Sequence, residues 1–284
     1  MRTLVHLSDV HFGRVDGTLV DPLVRFVEHL KPDLVVVSGD LTQRARSEQF
    51  REARSFLDRL PKPQIVIPGN HDVPLYNVFA RFLAPFYRDD EIAVVGVNTA
   101  RSLTFKGGRI NEEQVAMVRE RMCALDDRVT KIIVTHHPFD LPPDGGDEAD
   151  IVGRAETAVR AFARCGADVL LAGHIHLSHV GQTATRYDVE GRHAIIVQAG
   201  TATSTRGRGE ANSFNVLRIE HPSIEVERVT WQTEDGDFTP SHTERFRHTP
   251  EGWRRRADAP ATTEEIIEEV ADERSAPAAA RPEA

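Results

Sequence analysis

Five segments of the 284-residue chain end in side chains of the types that bind transition-metal ions. Each segment is a short aliphatic or β-branched run, which is typical of a strand covered on both faces. Each is followed at once by aspartate, asparagine or histidine. Imidazole and carboxylate without thiolate favour Mn, Fe, Zn or Co, and so many imidazoles disfavour Ca and Mg. The candidate ligands are Asp9, His11, Asp40, Asn70, His136, His174 and His176.

The number of these groups indicates two ions rather than one. A mononuclear site uses about three or four protein ligands, whereas seven side chains suit two ions that share a bridging group. A carboxylate can bridge, and Asp40, which leaves the second predicted strand, is the candidate. A single aspartate after a strand is usually a turn or a helix cap, and a single histidine is usually a surface or core residue. The recurrence at five strand ends is what favours a metal centre.

Two ligand pairs are each separated by one residue, in Asp9-x-His11 and His174-x-His176. Side chains alternate along an extended chain, so the two members of each pair are predicted to point the same way. In open α/β sheets, sites form outside the carboxyl ends of the strands. We therefore expect the ligands to meet at one edge of the sheet.

The strand segments alternate with helical patterns, which predicts an α/β protein. Asn111 and Gln114 form a predicted capping box at the start of the third helix. Predicted strands lie within residues 3–11, 33–40, 64–72, 131–138 and 168–176. Predicted helices lie within residues 23–30, 50–60, 115–125 and 158–165.

The pattern after residue 180 predicts a β-rich second half instead of further helix–strand repeats. We expect a hairpin around residues 190–191 and two strands over 213–232, with a turn near Pro222. The pattern then fades, and residues 233–253 are predicted to be an irregular C-terminal extension. Residues 254–284 are charged and rich in proline and alanine, which predicts a disordered tail.

The composition restricts the classes of partner. A net charge of −9 argues against a surface built for nucleic acid. No stretch approaches the ~20 apolar residues that span a bilayer, and the start lacks a signal-peptide pattern, so we expect a cytoplasmic protein without a membrane partner. Cys123 and Cys165 are predicted to be reduced, partly buried thiols. The oligomeric state is left open, because the apolar positions fit the core of one chain.

The order of these motifs along residues 3 to about 232 resembles the calcineurin-like metallophosphoesterase superfamily. The segments 38–45, 69–77 and 199–219 look most like the bacterial class III cyclic-nucleotide phosphodiesterases and their relatives. The resemblance implies a metallophosphoesterase domain over residues 1–232, folded as a four-layer α/β/β/α sandwich of two mixed β-sheets flanked by helices. The motifs that carry it are Asp9-x-His11, Gly39-Asp40, Gly69-Asn70-His71-Asp72, His136 and Gly173-His174-x-His176.

The resemblance also implies two divalent or mixed-valence transition-metal ions, from among Mn, Fe and Zn. Asp40 would bridge them. Two dications about 3.5–4 Å apart lower the pKa of a shared water, which supplies hydroxide to attack phosphorus. By similarity, one ion would be held by Asp9, His11 and His176, and the other by Asn70, His136 and His174.

The GNHD motif contains two further candidates for catalysis, His71 and Asp72. By resemblance, His71 is the histidine that protonates the leaving alkoxide or stabilises the transition state. Asp72 is expected to orient the His71 imidazole, as carboxylates do in other catalytic pairs.

Loop segments around the site add weaker candidates. Guanidinium groups suit a phosphate or the edge of a base, although loop arginines on an acidic protein are more often solvated. Residues 74–87, which include Asn77, form either a lid or pocket wall or a short amphipathic helix packed on the core. The candidate arginines are Arg44, Arg46, Arg206 and Arg208.

The leading hypothesis is a dinuclear metal-dependent phosphodiesterase that acts on a small phosphodiester substrate, with a 3′,5′-cyclic nucleotide as the first candidate. A DNA or RNA nuclease or a broad-specificity phosphoesterase is the second. The short segment between Asp72 and His136 leaves little room for the extra segments that repair nucleases carry. A non-catalytic metal-binding scaffold is the third, and it would be expected to have a broken ligand set.

Overall fold

Two mixed β-sheets, packed face to face, form the centre of the protein, as its computed structural model shows. The structure describes residues 1–72, 85–101, 107–143, 145–187, 189 and 192–256. The strands are β1 (Arg2–Leu7), β2 (Leu34–Val37), β3 (Gln64–Val66), β4 (Phe86–Arg88), β5 (Ile92–Gly96), β6 (Thr130–Val134), β7 (Val169–Ala172), β8 (His179–Gln182), β9 (Ile195–Gln198), β10 (Ser213–Glu220), β11 (Ser223–Gln232), β12 (Asp237–Thr249) and β13 (Gly252–Arg255).

Parallel strands occupy the part of each sheet that leads to the candidate ligands. The first sheet has the order β13-β12-β11-β10-β1-β2-β3, in which β1, β2 and β3 are parallel and the remaining strands are antiparallel. The second has the order β4-β5-β6-β7-β9-β8, with antiparallel strands only at its two edges. The carboxyl ends of β1, β2 and β3, and those of β6 and β7, therefore lie at the same end of their sheets.

Helices cover the outer face of each sheet, which confirms the predicted four-layer sandwich. Helices α1 (Gly17–Leu30) and α2 (Ser47–Arg59) pack on the first sheet, and α3 (Glu112–Met122) and α4 (Ala155–Arg164) pack on the second. The predicted capping box of α3 is present, since Asn111 accepts from the Gln114 backbone N–H at 2.8 Å. In the described part of the chain, no helix is long and apolar enough to cross a membrane.

The space between the sheets is filled by apolar side chains from both. The residues of β2 are all fully buried, because one face of the strand meets the other sheet and the opposite face meets the helices. A strand enclosed in this way cannot alternate polar and apolar residues, which explains its unbroken aliphatic run. Burial of each such side chain stabilises the fold by about 1.5–3 kcal/mol. Strand β2 is therefore held by packing on both of its faces.

The prediction for residues 233–253 is wrong, because this segment supplies all of β12 and the start of β13. The strand pattern of β12 is weak because it buries few side chains, chiefly Phe238 and Phe246, and exposes much of the rest. Strand β13 also includes Arg254 and Arg255, which were assigned to the disordered tail. The remainder of that tail, residues 257–284, lies outside the described residues.

Two shorter predictions also need correction. Strand β9 pairs with β8, which ends at Gln182, so the strand before the predicted hairpin ends well before residues 190–191; those two residues lie outside the described part. Cys123 and Cys165 form a disulfide. They follow the ends of α3 and α4, which pack side by side, so residues 42 positions apart in sequence meet in space. The sequence spacing contained no signal of that contact.

Candidate metal centre

The candidate ligands leave the carboxyl ends of five strands and meet where the two sheets adjoin. Asp9 and His11 follow β1, Asp40 follows β2, Asn70 follows β3, His136 follows β6, and His174 and His176 follow β7. The structure therefore brings together side chains from both sheets and from positions as far apart as residues 9 and 176.

Five of these residues have a left-handed backbone, with φ between 50° and 74°. This conformation costs about 1–2 kcal/mol for a residue with a Cβ atom and persists only where the surroundings enforce it. Here backbone hydrogen bonds between strand ends hold it, including one from His11 N to the Asp40 carbonyl at 2.9 Å. The five residues are Asp9, His11, Asp40, His174 and His176.

Left-handed turns, and not the alternation of an extended strand, direct the side chains of the pairs Asp9/His11 and His174/His176. The expected alternation of an extended strand does not apply at Asp9 and His11, because β1 has already ended at Leu7. The two side chains still converge, with His11 Nε2 at 3.6 Å from Asp9 Oδ1. Gly69 and Gly173 permit this crowding, because a Cβ atom at either position would overlap the carboxylate of Asp40 or of Asp9.

One ligand set consists of four buried residues whose ligand atoms all lie within 4.8 Å of one another. His176 Nε2 lies 3.1 Å from Asp9 Oδ1 and 3.0 Å from His11 Nε2. His11 Nε2 lies 3.5 Å from Asp40 Oδ2. Two imidazole nitrogens and two carboxylates therefore face a common point.

A second set converges on the other oxygen of the same aspartate. Asn70 Oδ1 lies 3.1 Å from His136 Nε2 and 3.0 Å from His174 Nδ1. His136 Nε2 lies 3.4 Å from Asp40 Oδ1. Asp40 thus presents one oxygen to each set.

Hydrogen bonds behind the imidazoles orient their lone pairs into the site. The Nδ1 atoms of His136 and His176 donate to the carbonyls of Ser38 and Arg206, at 2.9 and 3.0 Å, which leaves Nε2 as the inward ligand atom. His174 is turned the other way. Its Nδ1 faces Asn70, and its Nε2 lies 3.5 Å from Asp150 Oδ1.

Asp150 was missed by the sequence analysis. It lies in the short 3₁₀ helix Glu148–Asp150, and its carboxylate is mostly buried against His174. The surrounding sequence, DGGDEAD, reads as a solvated acidic loop, so nothing local distinguishes Asp150 from its neighbours. Only its contact with His174 in the folded chain marks Asp150 as part of the site.

The site fits metal ions by two independent observations. Asp9 Oδ1 is buried and receives no hydrogen bond from any described residue, which is costly for a carboxylate unless a cation is held there. The charges also favour a cation. Burial raises the pKa of the Asp9 carboxyl, but His176 and His11 outweigh this effect and hold the pKa well below its ordinary value. Burial lowers the pKa of His136, but Asp40 outweighs it and raises that pKa to about 9.

His71 lies beside the two ligand sets, with its ring centre 4.9 Å from that of His11. Its backbone N–H donates to Asp40 Oδ1 at 2.9 Å, and its Nδ1 donates to the Gln43 carbonyl at 2.8 Å. Its Nε2 accepts from Arg206 Nη1 at 2.8 Å.

The prediction that Asp72 orients the His71 imidazole is wrong, because Gln43 occupies that position. The buried Asp72 carboxylate accepts instead from the backbone N–H groups of Leu41, Thr42 and Gly69, at 2.8–2.9 Å. Asp72 therefore holds together the loops after β2 and β3, and it acts on the site through their shape.

The other sequence candidates are dispersed. Arg44, Arg46 and Arg208 are exposed, and only Arg206 contacts a site residue. Most of the predicted lid or helix at 74–87, including Asn77, lies outside the described residues; its last residues enter β4.

Residues 2–178 match the model of the calcineurin-like phosphoesterase family. Among curated relatives, a glycerophosphodiester phosphodiesterase of Enterobacter lignolyticus is 29% identical over 49% of this chain and 58% of its own length. A cAMP/cGMP dual specificity phosphodiesterase of Mycobacterium tuberculosis is 28% identical over 80% of this chain and 78% of its own length. The chain thus spans little more than half of the Enterobacter relative.

Solved structures share the fold at low identity. A purple acid phosphatase from yellow lupin has a TM-score of 0.64 at 15% identity, over 85% of this chain and 53% of that one. A dimetal phosphatase from Danio rerio has a TM-score of 0.62 at 12% identity, over 84% and 98% of the two chains. Because the family model matches more than half of the chain, the protein belongs to the calcineurin-like phosphoesterase family.

Proposed function

We propose that the protein hydrolyses a small phosphodiester at a centre of two transition-metal ions. The observation that carries this proposal is the position of Asp40, whose Oδ2 lies 3.5 Å from His11 and whose Oδ1 lies 3.4 Å from His136. A carboxylate placed between two ligand sets is suited to bridging two ions.

We assign the remaining residues to the two ions on the basis of the two ligand sets. When bound, the ions would supply Lewis acidity, which activates water and neutralises charge that develops on the phosphoryl oxygens. The choice among Mn, Fe and Zn depends on supply as well as on the ligands. One ion would be held by Asp9, His11 and His176, the other by Asn70, His136 and His174, and both by Asp40.

His71 is suited to act on the leaving oxygen because it touches the site without belonging to either ligand set. Its Nδ1–H is committed to Gln43, so Nε2 is the atom that can take up a proton and pass it to the leaving alkoxide. The His71 backbone N–H also holds Asp40, so the imidazole and the bridging carboxylate keep a fixed relation.

The substrate proposal is a 3′,5′-cyclic nucleotide, with a glycerophosphodiester as the second candidate. The Mycobacterium relative, which is aligned over most of this chain, is named for cAMP and cGMP, and the Enterobacter relative for a glycerophosphodiester. Both are small diesters. The net charge of −9 weighs against a nuclease that grips a polyanion.

The test is turnover by protein reconstituted with Mn²⁺, with Asp40→Asn as the inactive control. The substrates are 3′,5′-cyclic AMP, a 2′,3′-cyclic nucleotide, a glycerophosphodiester and an aryl phosphodiester. Selective hydrolysis of cyclic AMP supports the first candidate, and selective hydrolysis of the glycerophosphodiester replaces it with the second. No hydrolysis of any diester by protein that contains two metal ions would refute the proposed function.

A further inference from the structure

Arg206 is the one loop arginine among the four sequence candidates that reaches the centre, and the proposed mechanism leaves its side chain without a role. Its Nη1 donates to His71 Nε2 at 2.8 Å. Its own carbonyl accepts from the Nδ1 of His176, at 3.0 Å. The residue thus spans a metal-ligand candidate and the candidate proton donor.

The backbone that carries Arg206 is anchored on the neighbouring loop. Thr205 N donates to the Arg14 carbonyl at 3.0 Å, and Arg206 N donates to Ser204 Oγ at 3.1 Å. Ser204 is fully buried and pairs with Val15 in an isolated bridge. The guanidinium therefore extends over the site from a fixed base, which limits the conformational freedom that binding must remove.

The charge of Arg206 has no counter-ion in the described part of the chain. No carboxylate lies within 4.0 Å of its guanidinium there, whereas arginines such as Arg218 and Arg186 are paired with acidic side chains. A guanidinium has five N–H donors, and the contacts within the described residues use one of them, on a neutral imidazole. Fork-shaped donors of this kind match the oxygens of a phosphate.

We propose that Arg206 is a substrate-binding residue that donates to a non-bridging phosphoryl oxygen of the bound diester. The inference rests on the proposed function and adds the group that recognises the anionic centre of the substrate. The contact with His71 keeps the guanidinium beside the position where the leaving oxygen departs. On binding, a phosphoryl oxygen replaces the neutral imidazole as the acceptor, because a hydrogen bond to an anion is stronger.

The test compares Arg206→Gln with Arg14→Gln in full-length protein loaded with Mn²⁺. Arg14 lies on the adjacent loop and contributes its carbonyl, so R14Q removes a nearby exposed charge and leaves the backbone contacts in place. The probe is inorganic phosphate, whose Kd is measured by calorimetry, together with KM for the hydrolysed diester. We expect R206Q to raise both by about 10- to 100-fold, as for loss of a hydrogen bond to a charged group. R14Q should change them by less than about 2-fold.

Arg206→Lys is a second variant that separates a binding defect from misfolding. It keeps the positive charge but lacks the paired donors of the guanidinium, so we expect it to bind phosphate with intermediate affinity. Metal content, measured by plasma mass spectrometry, should stay at the wild-type value in both Arg206 variants. Equal phosphate affinity in R206Q and R14Q would overturn the proposal, and so would loss of metal from R206Q. If the wild type binds phosphate through Arg206 but hydrolyses no diester, the proposed function fails and the binding role stands.

Discussion

Two buried aspartates at opposite ends of the parallel strands have different environments. Asp9 follows β1 and has a left-handed backbone, and within the described part of the chain its Oδ1 receives no hydrogen bond. Asp168 precedes β7, and both of its oxygens are satisfied, by Lys131 N at 2.7 Å and by Trp253 Nε1 at 2.8 Å. A buried carboxylate whose oxygens all have donors stabilises the fold, whereas one left open among imidazoles is available to a cation.

The electrostatics separate the two groups further. Burial raises the pKa of both carboxyls. At Asp9 the positive charge of His176 and the closeness of the His11 imidazole reverse the effect, and the pKa falls well below its ordinary value. At Asp168 the neighbouring donors only reduce the effect, and the pKa is raised to about 6. Burial alone therefore does not distinguish a functional carboxylate; the surrounding charges do.

The largest expected effect comes from Asp9→Asn. Loss of this ligand should remove metal from the first set and lower kcat by about 10³-fold, which corresponds to the several kcal/mol that a bound metal supplies. The metal-free variant should be less stable than metal-free wild type, because the depressed pKa of Asp9 means that the fold favours its charged form. Metal analysis, turnover and thermal unfolding check the three points. If Asp9→Asn retained both metals and full activity, Asp9 would not be a metal ligand, and its environment would not differ in function from that of Asp168.

A smaller effect is expected from Asp150→Asn, which weakens the hydrogen bond to His174 Nε2. The ligand-orienting contact should contribute about 10- to 100-fold in affinity for the second metal, with the first metal unaffected. Titration of apo-protein with Mn²⁺ measures the two affinities separately. The matched control is Asp147→Asn, which alters an aspartate of the same acidic loop. Equal second-site affinity in the two variants would show that Asp150 plays no part in positioning His174.

The pH dependence of stability should identify Asp168. Its pKa is about 6 in the folded protein, above the ordinary value of 3.8, so the fold favours the protonated form. Its contribution to stability is therefore largest below about pH 4, declines as the pH rises towards 6, and is constant above. The decline should reach at most about 3 kcal/mol. Denaturant unfolding from pH 4 to 8 should show it in wild type and not in Asp168→Asn. Parallel profiles for the two proteins would contradict the assignment.

The smallest effect is that of Asp168→Asn at pH 7. The amide offers one acceptor oxygen, so either Lys131 N or the Trp253 indole loses its partner, at a cost of about 1–3 kcal/mol. Removal of a buried charge offsets part of this loss, and we expect a net destabilisation of about 1 kcal/mol. Turnover should be unchanged. A fall in kcat comparable to that of D9N would show that the two ends of the sheet are coupled.

The convergence of the candidate ligands was predictable because each of these residues follows a strand that is recognisable by itself. A strand enclosed on both faces must be an unbroken apolar run, and such runs end visibly at Asp40, His136 and His174. The topology of parallel strands then requires these ends to meet. The two mixed sheets and their helices were expected for the same reason.

Other features could not be predicted because their signal is spread over distant positions. Strand β12 has a weak pattern and is held by pairing with β11. The disulfide depends on how α3 packs beside α4. The role of Asp72 depends on backbone N–H groups at residues 41, 42 and 69, which no side-chain pattern reveals.

The amino-acid sequence by itself determined which side chains reach the centre and the order in which the strands present them, because aliphatic runs and their punctuation are local properties of the chain. The tertiary structure decided how those side chains are used. Each of these uses joins residues that are far apart in sequence. Asp40 offers one oxygen to each ligand set, His174 contacts Asp150, and Arg206 donates to His71. Hydrogen bonds and charges act through space over a few ångströms, so only the folded chain specifies them.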